Sequence, residues 1–242
     1  MCATFSTGRV PGMGIPELRA VIQQQIHTLP HGYDEFPASY FAVKEALEAG
    51  AHVLCEKPVA ASYADAVDMF AAAERVGKIL FVSQTGRFGN GAVAAKELAD
   101  SGRLGEMYYA ETSAFRRRGV PTWGHFHMKE ESGGGPLYDL GVHALDALLW
   151  IMGNPRVVAA SGMTYTKLAD QDEGLIASLA DSGAPVGVFD PRAYDSGEYD
   201  VEDMAAGFLR LENAATISVR ASWAANVPEG TGGTIILGTK GG

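Results

Sequence analysis

The chain is 242 residues long, 47% hydrophobic, 20% charged and 9% aromatic, a composition with enough apolar side chains for a sizeable core, which excludes disorder and collagen-like repeats. Its 29 acidic against 19 basic residues give a net charge of −10; that field repels a polyphosphate backbone and argues against nucleic acid as the main partner, whereas a small ligand suits it. Cys2 and Cys55 match no zinc spacing and no disulfide framework, which points to a reducing, cytoplasmic compartment. Residues 1–14 have no basic start followed by an unbroken apolar stretch, and the most hydrophobic helical segment, 140–152, carries His143 and Asp146, so neither a signal peptide nor a membrane partner is expected.

Residues 1–38 hold Pro11, Pro16, Pro30 and Pro37, and only 16–26 show a modest helical pattern. Gly12-Met13-Gly14 follows no strand and reads as a turn. From Ser39 the pattern sharpens: Val43, Ala46 and Leu47 recur at helical spacing, Gly50 stops the helix, and 52–55 is a short strand-like run. It then repeats. Ser62 with Asp65 starts a helix, Ala66, Met69, Phe70 and Ala73 form its apolar stripe, and Gly77 ends it; 79–82 is apolar throughout, as in a parallel strand buried on both faces. Residues 1–88 thus predict an incomplete, Rossmann-like α/β domain with a parallel sheet.

Beyond Arg87 the pattern predicts a helix over 92–101, a strand over 107–115, a loop rich in Arg, Gly, Trp and His, and a helix over 137–152. Strands then dominate: 156–161, and 204–211 with 216–223 as a hairpin around Glu212-Asn213-Ala214. Residues 89–242 therefore predict an α+β domain with a large open, mostly antiparallel sheet. No closing helix follows the last strand, so the chain reads as a fragment.

Two stretches carry chemistry. Cys55-Glu56-Lys57-Pro58 follows the end of a parallel strand, the edge at which open α/β sheets bind ligands. A lysine there can donate to a substrate hydroxyl or carbonyl; a solvated Glu56 and Lys57 pair is the alternative. The second stretch runs from Ser132 to His143. Gly133, Gly134 and Gly135 allow close approach to a ligand, and Asp139 and His143, four apart, share a helix face that Asp146 continues. Leu140, Ala144, Ala147, Leu148 and Ile151 supply the buried stripe. Imidazole can exchange a proton with a substrate hydroxyl, and a carboxylate one turn away can orient it; a capping Asp139 with a core His143 is the alternative. His125, His127 and Glu131 have zinc-type side chains, but spacing fixes no third ligand and no metal is assigned. In Arg116-Arg117-Arg118 one guanidinium can clamp a carboxylate or phosphate, and Trp123 can pack on a sugar or nicotinamide face; a solvated run and rim packing are the alternatives.

Ala46-Leu47-Glu48-Ala49-Gly50 leading into Cys55-Glu56-Lys57-Pro58, then Arg87-Phe88, Ser101-Gly102-Arg103-Leu104-Gly105, the 133–143 stretch and Asp200-Val201-Glu202-Asp203 together resemble the Gfo/Idh/MocA family of NAD(P)-dependent oxidoreductases. The resemblance covers most of 41–242. It implies NAD or NADP as cofactor, a sugar or polyol as substrate, and a homo-oligomer formed through the C-terminal sheet. It further implies that Lys57 lies beside nicotinamide and substrate, that Glu56, Pro58 and Arg87 serve the cofactor, and that Arg116 and Trp123 serve the substrate. Asp139 would orient substrate or base, and His143 would accept the hydroxyl proton while hydride passes to nicotinamide C4. A full member opens with a strand and G-x-G-x-x-G, and has an acidic residue after its second strand. Neither is present, which implies a chain truncated at both ends. An NAD-dependent glycoside hydrolase of the same superfamily and a non-catalytic oligomerising or ligand-binding fragment are the competing readings.

Overall fold

The computed structural model describes residues 2–5, 36–171, 174–176, 178–184 and 193–242. The turn expected at Gly12-Met13-Gly14 and the helix expected over 16–26 lie outside them. The chain parts after Ser83 into two units, 1–83 and 84–242. Among the described residues no helix is long and apolar enough to cross a membrane.

In the first unit β1 (Cys2–Phe5), α1 (Phe36–Glu48), β2 (His52–Glu56), α2 (Tyr63–Arg75) and β3 (Leu80–Ser83) follow one another. β2 lies in the middle of the sheet, parallel to β3 as expected and antiparallel to β1, a strand that no alternation in the sequence announces. α2 starts where Ser62 and Asp65 predict: Ser62 Oγ accepts the Asp65 N–H at 3.1 Å, a cap worth about 1 kcal/mol. Val43 and Leu47 of α1 and Met69, Ala72 and Ala73 of α2 pack on Val53, Cys55 and Leu80. Lys44 ties the two helices, donating to Asp68 Oδ2 at 2.6 Å and to the Tyr40 hydroxyl at 3.0 Å.

Two expectations are corrected here. Phe70 is 46% exposed, and Ala72 takes its place in the core. β3 is not buried on both faces either, since Phe81 is 39% exposed. Both helices cover the same face, whereas Phe81 and its register partner Leu54 point to the other.

The second unit opens with a 3₁₀ turn (Thr85–Phe88) and α3 (Asn90–Asp100), then β4 (Met107–Phe115), α4 (Lys129–Ser132), a π-helical turn (Leu137–Gly141), α5 (Val142–Ile151) and β5 (Val157–Tyr165). β6 (Met204–Leu211), β7 (Thr216–Ser222) and β8 (Gly232–Gly238) complete a five-stranded sheet of order β5-β6-β7-β4-β8. All its pairings are antiparallel except that of β4 with β7. Ala110, Leu209, Ile217 and Ile236 share one face and take Leu148 of α5 and Met152 just after it against them. The opposite face is open, with Met163 65%, Ile235 51% and Phe208 47% exposed.

The continuous α-helix expected over 137–152 is corrected as well. Its first turn is π-helical, closed by Val142 N–H on the Leu137 carbonyl. The widened turn splits the expected stripe: Leu140 packs with Val120, Leu175 and Trp223, whereas Leu148 joins Ala110 and Ile217. Two of the glycines before it, Gly134 and Gly135, are closely approached by the chain's own groups. A Cβ on Gly134 would meet the Tyr138 ring, and one on Gly135 would run into the backbone carbonyl of Glu202.

Gly135→Ala is therefore expected to cost at least about 2 kcal/mol, read as a lower melting temperature. Gly91→Ala, in α3 with nothing within 4 Å of the added methyl, should instead raise it, by about 0.5–1 kcal/mol. Ala214 turns the β6–β7 hairpin at φ +67°, a left-handed conformation costing an L-residue roughly 1–2 kcal/mol. Ala214→Gly should stabilise the chain in denaturant titration.

Candidate functional site

β2 and β3 run parallel with Glu56 opposite Ser83, so their C-terminal ends leave the sheet side by side. Open α/β sheets bind ligands at that edge. Val53 and Cys55 are turned toward α1 and α2, which by alternation sends Glu56 to the other side; it is exposed, and Lys57 and Pro58 beyond it are half-buried and joined by a cis peptide bond. Glu56, Lys57 and Pro58 thus form one short segment of the first unit.

Arg87, Arg116, Trp123, Asp139 and His143 belong to the second unit. Asp139 sits in the π-helical turn and His143 in the first turn of α5. The Asp139 side chain is 14% exposed and lies with Oδ2 3.9 Å from Nη1 of Arg116. That same Oδ2 accepts the indole N–H of Trp223 at 2.8 Å. Arg116 reaches Asp139 from just beyond β4, and its Nη1 also donates to the carbonyls of Gly119 at 3.0 Å and Ser182 at 2.8 Å. Burial pushes the Arg116 pKa down, and Asp139 partly restores it. Trp123 meets the same Ser182 carbonyl through Nε1 at 3.5 Å and packs edge-on against Phe126. The two residues expected on the substrate are therefore brought to one backbone carbonyl.

Arg87, expected at the cofactor, is paired in this structure with Asp146 of α5, Nε to Oδ2 at 2.6 Å and Nη2 to Oδ1 at 2.5 Å. The carboxylate holds its pKa above the ordinary arginine value. The pair fastens the 3₁₀ turn to α5, and Gly86 in that turn lies against the His143 carbonyl. His127 is fully buried, with Nε2 3.6 Å from Glu198 Oε2 and its ring tilted against Tyr194. Among the described residues no group of three His, Cys, Asp or Glu side chains is placed to hold a metal.

Trp223, which the sequence reading did not single out, and Asp203, which it cited only within the 200–203 segment of the family resemblance, support this constellation. Trp223 is fully buried just after β7, and Asp203, 2% exposed, precedes β6. The available signal is strand parity: Trp223 falls in step with Val219 and Ala221, and Asp203 with Ala205, all on the core side.

Residues 37–84 match the family model described as an oxidoreductase family with an NAD-binding Rossmann fold, and residues 92–242 match the GFO/IDH/MocA C-terminal domain. A D-glucoside 3-dehydrogenase of Escherichia coli is 36% identical over 184 residues, 76% of this chain and 48% of the relative. An NADP-dependent scyllo-inositol 2-dehydrogenase of Bacillus subtilis is 29% identical over 76% of this chain and 54% of its own length. The crystal structure of an aldose–aldose oxidoreductase from Caulobacter crescentus complexed with glycerol shares the fold, with TM-score 0.63 and 24% identity over 84% of this chain and 52% of that one. The chain spans about half the length of the curated relatives it matches. With both of its matched segments falling in consecutive domains of one architecture, the chain belongs to the Gfo/Idh/MocA oxidoreductase family.

Proposed function

We propose that the protein is an oxidoreductase that moves a hydride between a sugar or polyol CH–OH group and NAD or NADP, the first unit binding the dinucleotide and the second the substrate. The observation that carries the reading is a half-buried acid, Asp139, set on the helical run that leads into His143 and held there by Trp223. Relatives named for glucoside and inositol oxidation support the substrate class.

The residues present fit the nicotinamide end of the cofactor. Two parallel strands end together at Glu56 and Ser83, with the half-buried Lys57 next in line, a donor set suited to a ribose and a carboxamide. Glu56, Lys57 and Pro58 would hold it there. Bound in that position, NAD or NADP supplies the hydride acceptor. His143 takes the hydroxyl proton as the C–H bond breaks, Asp139 orients the imidazole or the substrate, and Lys57 donates to the oxygen that becomes a carbonyl. Arg116 and Trp123 align the rest of the sugar.

The protein is further proposed to be a cytoplasmic homo-oligomer joined through its C-terminal sheet. The open face carrying Met163, Phe208 and Ile235 supports that interface, and cysteine usage supports the compartment.

Titration with NADH and NADPH, followed by fluorescence, is expected to saturate in the micromolar range. Lys57→Ala and His143→Ala should each lower kcat by at least about a hundredfold in dehydrogenation of methyl glucosides or inositols; near-normal turnover of both variants overturns the assignment. Phe208→Glu should shift the chain toward monomer in sedimentation velocity, and an unchanged assembly would remove the sheet from the interface.

A further inference from the structure

We propose that Trp223 is a positioning residue for Asp139, its indole N–H holding the carboxylate in the orientation in which it serves His143 and the substrate hydroxyl. The inference rests on the assignment of Asp139 and His143 to hydride-transfer chemistry. Trp223 is fully buried, packed with Val120, Leu175, Tyr199 and Val201. Its backbone is held at both ends: its N–H donates to the Asp203 carbonyl at 3.0 Å, and its carbonyl accepts the Gly119 N–H at 2.9 Å. The ring is therefore fixed, and so is the direction of its single donor.

That donor reaches Asp139 Oδ2 at 2.8 Å, on a turn whose own Asp139 N–H is tied to the Gly135 carbonyl at 3.1 Å. A buried indole needs an acceptor, and a neutral carbonyl supplies one without the desolvation that a carboxylate suffers. Placing an acid here serves the acid. Arg116 Nη1, 3.9 Å from the same oxygen and donating to two carbonyls, adds a positive charge on the Oδ2 side rather than a second hydrogen bond. A carboxylate is planar with about four acceptor positions, so anchoring one oxygen fixes the direction of the other.

The test uses the 242-residue chain, whose three tryptophans give three indole N–H signals in a ¹H–¹⁵N spectrum. Trp223→Phe identifies one of them, and Trp150→Phe a second. In Asp139→Leu the Trp223 signal should move upfield while the Trp150 signal stays. Turnover gives the second arm. Trp223→Phe, which keeps the aromatic bulk, should lower kcat about tenfold with the KM for the dinucleotide unchanged, and should add little to the loss already present in Asp139→Asn. Unchanged kcat in a folded Trp223→Phe, or losses that multiply in the double variant, overturns the proposal. Absence of turnover in the parent chain counts against the oxidoreductase reading, and the indole signal then decides alone: indifference to Asp139→Leu sinks the positioning role, whatever the fate of Trp223→Phe as a folded protein.

Discussion

The Asp203 carboxylate organises the second unit. Buried and only 2% exposed, its Oδ2 accepts the backbone N–H groups of Lys167, Leu168 and Ala169 at 2.6, 2.6 and 3.0 Å. Three donors aimed at one anion compensate its removal from water, which a single neutral partner would not do. Its backbone carbonyl accepts the Trp223 N–H and the Ser222 hydroxyl. One residue thereby ties the loop after β5 to the end of β7, and the end of β7 is where the indole facing Asp139 is held. The segment that contributes to the family resemblance thus acts, on this geometry, by holding the backbone that carries the indole beside Asp139.

Two half-buried guanidinium groups extend the same scheme. Arg116 bridges the carbonyls of Gly119 and Ser182 while standing beside Asp139, a task for a planar fork with five donors that an ammonium does poorly. Arg87 closes a two-bond pair with Asp146, one helical turn along α5 from His143. Both ends of the Asp139 to Asp146 run are thus fastened by charge-assisted contacts. The middle is fastened by apolar packing on β4 and β7. Such a run is preorganised, which is what proton transfer between fixed groups requires.

Much of the fold was legible because its signals are local. The cap at Ser62, the helix stop at Gly77, the nine-residue strand β4 and the β6–β7 hairpin all follow from patterns a few residues long. Where the reading departed from the structure, a neighbour distant in sequence decided. Phe70 and Phe81 are apolar enough for a core, but α1 and α2 lie on the same side of the sheet and leave them exposed. The glycines at 134 and 135 look like a ligand cradle, yet Tyr138 and Glu202 come up against them.

Lys57, Asp139 and His143 are candidates drawn from residue type, spacing and the likeness to a family. Sequence by itself determined the alternation of helix and strand, the strand-end location of Lys57 and the helical run carrying Asp139 and His143, because each depends on backbone periodicity and on residues within about one turn. Only the tertiary structure decided that the run begins with a π turn, that Arg87 pairs with Asp146, and that the acceptor of the Trp223 indole is Asp139, 84 residues away. Those contacts depend on sheet register and on which faces pack together, and no short-range pattern encodes either.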